Sequence, residues 1–411
     1  MAIRRNVVFI TTPHFDPWSG AEELWSRTAI ELVSQGFPVT ASVWEGSLLH
    51  PRMRELQVRG VDFWPWPRQQ YSLRKHPWKR LRSWRDGSVA FAVEQLLDAR
   101  PPAIGVLSDG GTLPPIQLLE LCIAKRIPFL TISHAGSEAI CYDDDLAKRY
   151  RAALAAALRC FFVAQANRRM AEKQIGGELA NAEIVRNPVN VSYNISLPWP
   201  ASGTDAEMRF ACVGRLHPPA KGQDILFEAL AQSQWECRNW RLSIYGEGPT
   251  RLSLEWLARQ LGVSERVAFV GFAKPVEIWA ENHVLVMPSR FEGLPLAMVE
   301  AMLCSRPIVA TDIAGHAEIV EDGVTGFLAD APTPRALAAA LERFWARRAE
   351  AEEIGKAGHR RIQQLVPPDP ARVFAEKLKA MGGLIAACQR GDYGRAITKR
   401  GADQARRSEK P

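Results

Sequence analysis

The chain lacks any run approaching the ~18 consecutive apolar residues of a membrane-spanning helix, so no integral membrane segment is expected in its 411 residues. It also lacks a C-x-x-C pair. Its seven cysteines are scattered, a pattern of free thiols in a reducing cytoplasm rather than of a disulfide framework. No secretory leader is read at the start: MAIRRNVVFITTPHFD has only a short apolar run and an early Asp16, and reads as a first buried strand. No motif for duplex nucleic acid is present, so nucleic acid is excluded as a partner. What is there is length and apolar content. Two or three domains are expected from 411 residues, and an apolar fraction of 47% fills more than one core.

The charge is +7 overall and uneven. From Ala386 to Pro411 seven Lys/Arg face three Asp/Glu, so this stretch alone carries +4. It reads as a basic, disordered tail. A second basic stretch, residues 68–85, holds seven Lys/Arg, no acid, and Tyr71, Trp78 and Trp84. That composition suits an anionic membrane surface or a phosphorylated lipid acceptor, and equally a solvated face.

The most informative stretch runs from Met287 to Asp312. An apolar run ending at Met287 reads as a buried strand, followed by a polar loop, a helix from about Pro295 to Leu303, and a strand at Ile308–Ala310. This is a β-loop-α-β unit of a parallel sheet. Amides of the helix's first turn, at Leu296 and Ala297, point out of its positive end, which suits a phosphate. Glu292 precedes the helix and Glu300 lies about one and a half turns inside it, so the two carboxylates can face different parts of one ligand.

Two glutamates separated by seven residues in S-R-F-E-G-L-P-L-A-M-V-E-A-M resemble the signature of retaining family-four glycosyltransferases of the GT-B fold. Other segments extend the resemblance. Phe210 to Leu216 is a strand running into Gly214 and Arg215, and Lys221-Gly222 stands before a helix; this resembles the family's diphosphate clamp. Two cations beside a helix end can neutralise both phosphates and the charge growing on a leaving group. Gly246-Glu-Gly248-Pro249 closes the next strand. Arg251 stands where a dinucleotide fingerprint would need its third glycine, which argues against a dehydrogenase. Val267 to Phe272 resembles the segment holding the base, and Glu318-Ile-Val-Glu matches a Pro-Glu-Ile-Val pattern with Ala317 in place of proline.

In the first half, strands and helices alternate, as in a doubly wound parallel sheet whose ligands sit at the C-terminal strand ends. PHFDPWSGAEE resembles the family's glycine loop. Ser19 replaces its first glycine, so Gly20 alone is carried over, beside the donor phosphates. Ser108-Asp109-Gly110-Gly111 reads as a flexible loop without assigned chemistry. His134, directly after a strand, resembles the family histidine that contacts the donor sugar. Asp143-x-Asp145 has the spacing of a metal-binding Asp-x-Asp, but acids opening a helix account for it and no metal is expected.

The resemblance therefore implies an α/β, GT-B architecture: two Rossmann-like domains facing across a cleft, with a C-terminal helix crossing back to the first. The expected boundaries are an acceptor-side domain at 1–190, a linker at 191–208, and a nucleotide-sugar domain at 209–365. A crossover helix at 366–385 and the tail at 386–411 complete the chain. It implies transfer of a sugar, with retention, from a UDP-, GDP- or ADP-sugar to a glycan or lipid-linked acceptor, with no cofactor and no metal. His134, Arg215, Lys221 and Glu292 would be catalytic. Gly20, Gly214, Arg215, Lys221, Gly246, Phe272, Glu292, Gly293, Leu294, Leu296, Ala297 and Glu300 would bind the donor. The expected location is the cytoplasm, with peripheral contact at the inner membrane face through residues 68–85 or the tail as the alternative. A non-catalytic sugar-nucleotide-binding subunit on the same fold is the rival reading.

Overall fold

A computed structural model describes residues 6–12, 17–66, 88–201 and 207–387. The basic segment 68–85, part of the first loop (13–16) and the tail from 388 onward lie outside the described residues. The chain divides into two units. The first comprises Met1–Val163, Asn167–Asn187 and Asp369–Pro411, and the second Ala164–Ala166 and Pro188–Pro368.

Runs of apolar and β-branched residues make the strands of the first unit: β1 (Val7–Thr12), β2 (Val39–Trp44), β3 (Asp62–Trp66), β4 (Ile104–Asp109), β5 (Phe129–Ser133), β6 (Arg159–Phe162) and β7 (Ala182–Ile184). They form one sheet in the order β3-β2-β1-β4-β5-β6-β7, with every pair parallel. Such strands are covered on both faces, which is why β1, β4 and β5 are buried almost without alternation. Ser108 and Asp109 are the last residues of β4 rather than a flexible loop. A short hydroxyl and a carboxylate at a strand's end carry no apolar signal, so sequence pattern alone misplaces them.

The helix Gly20–Ser34 opens with a capping box in which Ser19 and Glu22 satisfy each other's backbone. Asp143 caps the helix Asp144–Ala156, its carboxylate accepting from the Leu146 amide at 2.8 Å, so this acidic cluster has a local structural task. The last described helix, Pro370–Ala387, is part of the first unit. Phe374 meets Phe161 edge-on at 5.1 Å, Thr28 donates to the Ala371 carbonyl at 3.3 Å, and Lys377 pairs with Glu183.

The second unit is a six-stranded sheet of β8 (Met208–Val213), β9 (Trp240–Tyr245), β10 (Val267–Gly271), β11 (Val284–Met287), β12 (Ile308–Thr311) and β13 (Gly326–Ala329). Its order is β10-β9-β8-β11-β12-β13, again all parallel. The chain progresses outward in both directions from the β8/β11 pair. That pair is the topological switch point, where the crevice of such a sheet opens. Behind it the core is aromatic: buried Trp235 packs against Trp240, Trp345 and Phe210. Arg238 lies 4.5 Å over the Trp235 ring while bound in a fork to Glu342.

Two glycines let the backbone close up at the switch point. Gly222 adopts φ +65°, and a β-carbon there would sit 2.0 Å from the Pro288 carbonyl oxygen. Gly246 adopts φ +128°, and its β-carbon would sit 2.1 Å from the Gly214 carbonyl oxygen. Gly222→Ala should therefore cost roughly 2–4 kcal/mol, combining left-handed strain with displacement of Pro288. Gly262→Ala, also at positive φ (+70°) but with nothing within 4 Å, should cost about 1 kcal/mol. Urea unfolding of both variants checks the difference.

Candidate active site

At the switch point of the second unit, the segment after β8 meets the loop after β11. Lys221 ends the short helix Pro218–Lys221, and its stem lies over Gly214, 3.4–3.6 Å from where a β-carbon would stand. Its Nζ reaches Glu292 Oε1 at 2.5 Å. The same oxygen accepts the Ser289 hydroxyl at 2.9 Å. Glu292 is only 8% exposed, and a carboxylate taken that far out of water needs such partners.

The two segments are locked together by Arg290. Its amide donates to the Ala220 carbonyl at 2.8 Å. Its guanidinium donates to the Pro218 carbonyl at 2.6 Å and grips Asp224 in a fork at 2.7 and 2.8 Å. Gln223, fully buried, donates to the Arg215 carbonyl at 2.8 Å. Lys221 is thus held in register with Glu292 from both sides. An ammonium has three N–H donors, so one can stay on Glu292 while others face an anion.

The helix Leu296–Leu303 begins directly after this loop, with Pro295 as its N-cap residue. Its first amide to bond back is that of Met298, 3.2 Å from the Pro295 carbonyl. The amides of Leu296 and Ala297 precede that bond and have no intrahelical acceptor. Gly293 and Leu294 are buried in the approach to this helix, and the Gly293 carbonyl accepts the Gly315 amide at 3.1 Å. Glu300, inside the helix, holds Asn190: Oε1 accepts the Asn190 amide at 2.9 Å and its side-chain nitrogen at 3.3 Å. Gly214 and Arg215 stand at the end of β8 and Gly246 at the end of β9. Phe272, just past β10, is largely exposed at 83%.

Two expected groups belong to the first unit. His134 follows β5 and is buried, its Nε2 3.1 Å from the Ser108 hydroxyl. Burial lowers its pKa to about 4, with Asn187 beside the ring opposing the shift. The ring is therefore neutral at physiological pH. Asn187 makes no well-aligned hydrogen bond to Nδ1. Beside His134 lies buried Asp109, which accepts the Thr12 hydroxyl at 2.5 Å and the Gly111 amide at 2.7 Å. Gly20 opens its helix behind the Ser19–Glu22 box, where Glu22 Oε2 takes the Ser19 amide at 2.7 Å and hydroxyl at 2.6 Å.

Sequence reasoning missed Ser289, Arg290 and Asp109. Position at or just past the ends of β4 and β11 is the signal they share. Among the described residues no group of three or more His, Cys, Asp or Glu could hold a metal ion, and no helix is long and apolar enough to cross a membrane.

Residues 207–347, which hold this constellation, match the family model for glycosyl transferases group 1. Within the second unit, this stretch is similar to the group 1 glycosyl transferases. A putative glycosyltransferase, EpsD, of Bacillus subtilis is 33% identical over 141 residues, 34% of this chain and 37% of that protein. A GDP-mannose-dependent phosphatidylinositol monomannoside mannosyltransferase of Mycolicibacterium smegmatis is 34% identical over 157 residues, 36% of this chain and 41% of its own. The chain thus spans less than half the length of either relative. The fold extends further than the sequence likeness. Anabaena Alr3699/HepE, solved with UDP and glucose, superposes with a TM-score of 0.68 at 19% identity, covering 91% of this chain and 99% of the other. The lipopolysaccharide outer core galactosyltransferase WaaB superposes at 0.64 and 18% identity, with 91% and 99% coverage. The chain has the GT-B fold, two Rossmann-like parallel sheets.

The capping carboxyl of the first unit gives a pH test. Burial, opposed by the Ser19 hydrogen bonds, raises the Glu22 pKa from 4.5 to about 7. A carboxyl raised on folding stabilises below its unfolded value and loses that contribution as pH climbs through its folded one. Unfolding free energy should therefore drop between pH 5 and pH 8 by on the order of 3 kcal/mol. In Glu22→Gln that drop should disappear, as read by urea midpoints at the two pH values.

Proposed function

We propose that this chain transfers a sugar, with retention of anomeric configuration and without a metal, from a nucleoside-diphosphate sugar to a glycan or lipid-linked acceptor. The setting would be synthesis of a cell-surface polysaccharide or lipopolysaccharide. One observation carries the reading: a lysine–glutamate pair fixed at the switch point, directly before a helix end whose first two amides have no acceptor within the helix. A diphosphate leaving group needs positive charge where its own charge grows. Lys221, Arg215 and the amides of Leu296 and Ala297 supply it, the task a divalent cation performs in other sites. Glu292 positions the donor sugar and Glu300 the ribose. On the first unit, His134 and Gly20 keep the sugar- and phosphate-facing roles that the resemblance implies.

Glu292 is committed to Lys221 and Ser289 and is a poor candidate for a covalent nucleophile. A front-face displacement fits these residues better. The acceptor oxygen bonds to the anomeric carbon on the face from which the diphosphate departs, and the acceptor proton passes to the departing phosphate oxygen. The relatives named for GDP-mannose and for a complex with UDP and glucose make UDP- and GDP-sugars the first donors to try. Any membrane contact would run through residues 68–85 or the tail, at the cytoplasmic face.

A donor panel tests the proposal. UDP-, GDP- and ADP-sugars are incubated with the protein in EDTA, and release of the nucleoside diphosphate is followed. Release from one of them is expected. No release in EDTA but release with added Mn²⁺ removes the metal-free mechanism, and no release or binding under any condition leaves a non-catalytic subunit. With the accepted donor, Lys221→Ala should cut kcat/KM by about 10²–10³, in a chain that still folds but melts lower because Glu292 loses its buried partner. Near-normal turnover removes Lys221 from the machinery.

A further inference from the structure

The second unit contains a histidine with no role in this scheme. His316 opens the short helix His316–Ile319 and is fully buried. Its Nδ1 lies 2.7 Å from the Thr311 carbonyl oxygen. A carbonyl only accepts, so Nδ1 carries the proton and Nε2 a lone pair. Nε2 has no hydrogen-bond partner. A leucine would fill similar space without stranding a nitrogen, so packing alone is a poor account of a histidine here.

The hydrogen bonds beyond Thr311 lead to the lysine–glutamate pair. Thr311 donates its hydroxyl to the Ser289 carbonyl at 2.6 Å. Ser289 donates its own hydroxyl to Glu292 Oε1 at 2.9 Å, the oxygen that Lys221 also holds. A second tie runs along the backbone, from the Gly315 amide to the Gly293 carbonyl at 3.1 Å. The turn after β12 is therefore fastened to the loop after β11 at two points, one of them through the imidazole.

We propose that His316 is a positioning residue: its Nδ1–H fixes Thr311, and through Thr311 and Ser289 it sets the orientation of Glu292 toward the donor. The proton state matters because only a ring protonated at Nδ1 makes the first link. Burial holds the ring neutral, and Lys221 opposes a second proton, while Glu292 and Asp312 favour one. The assignment rests on the glycosyltransferase reading for its kinetic consequence and on geometry alone for the relay.

Two measurements test it, one for each part. Nitrogen NMR of the full chain labelled with ¹⁵N-histidine should find His316 in the Nδ1–H tautomer at neutral pH, and Thr311→Val should shift that signal. A ring found in the Nε2–H form overturns the relay whatever the enzyme does. With the accepted donor, His316→Leu should lower kcat by about 10–10²-fold, the effect of a misplacement near 1 Å, and leave KM for the donor close to wild type. His316→Asn, which restores an N–H near the Nδ1 position, should recover most of the loss. Full kcat in the leucine variant, or equal losses in both variants, reduces His316 to a packing residue. A wild-type chain without transferase activity would defeat the functional reading, while the NMR result would still decide the relay.

Discussion

The constraint on which the second unit depends is the close approach of two backbones, at Gly222 and Pro288. No β-carbon fits between them, so the segments following β8 and β11 lie against each other without side chains in between. That contact brings a lysine on one segment within hydrogen-bond reach of a glutamate on the other. Sheet order makes it possible, because β8 and β11 are neighbours although some seventy residues separate Lys221 from Glu292. The Arg290–Asp224 fork then holds the approach against thermal spreading, since a bidentate pair fixes orientation as well as distance.

Around this contact the carboxylates are all assigned to partners within the chain. Glu292 is taken by Lys221 and Ser289, and Glu300 by Asn190. Each holds a position that a hydroxylated ligand could enter by exchanging one hydrogen bond for another. Preorganisation of this kind lowers the entropy lost on binding, because the side chains are already ordered.

Much of the fold was legible in sequence because parallel strands covered on both faces are written as unbroken apolar runs. Val284 to Met287 is the clearest case, and the strands and helix around Glu292 and Glu300 follow from it. β13 was not legible: Gly326-Phe-Leu-Ala is four residues long and opens with glycine, too short for any period to register. Nor were the groups that complete the site. Asp109, Ser289 and Arg290 are single polar residues at or just past strand ends, and their roles come from neighbours far away in sequence. Ser19 shows the converse. Read as a departure from a glycine pattern, it is the N-cap of a box with Glu22, a local rule that the sequence S-x-x-E already contains.

The first unit is discontinuous, and its last described piece is the helix Pro370–Ala387. Phe374, fully buried against Phe161, belongs to a helix that is synthesised after the whole second unit. During synthesis the first sheet must therefore wait with one wall of its core open, while nearly the whole second unit emerges. Exposed apolar surface held for that long is where aggregation and chaperone capture begin. A chain cut just before Pro370 has every residue of the second unit and lacks one wall of the first.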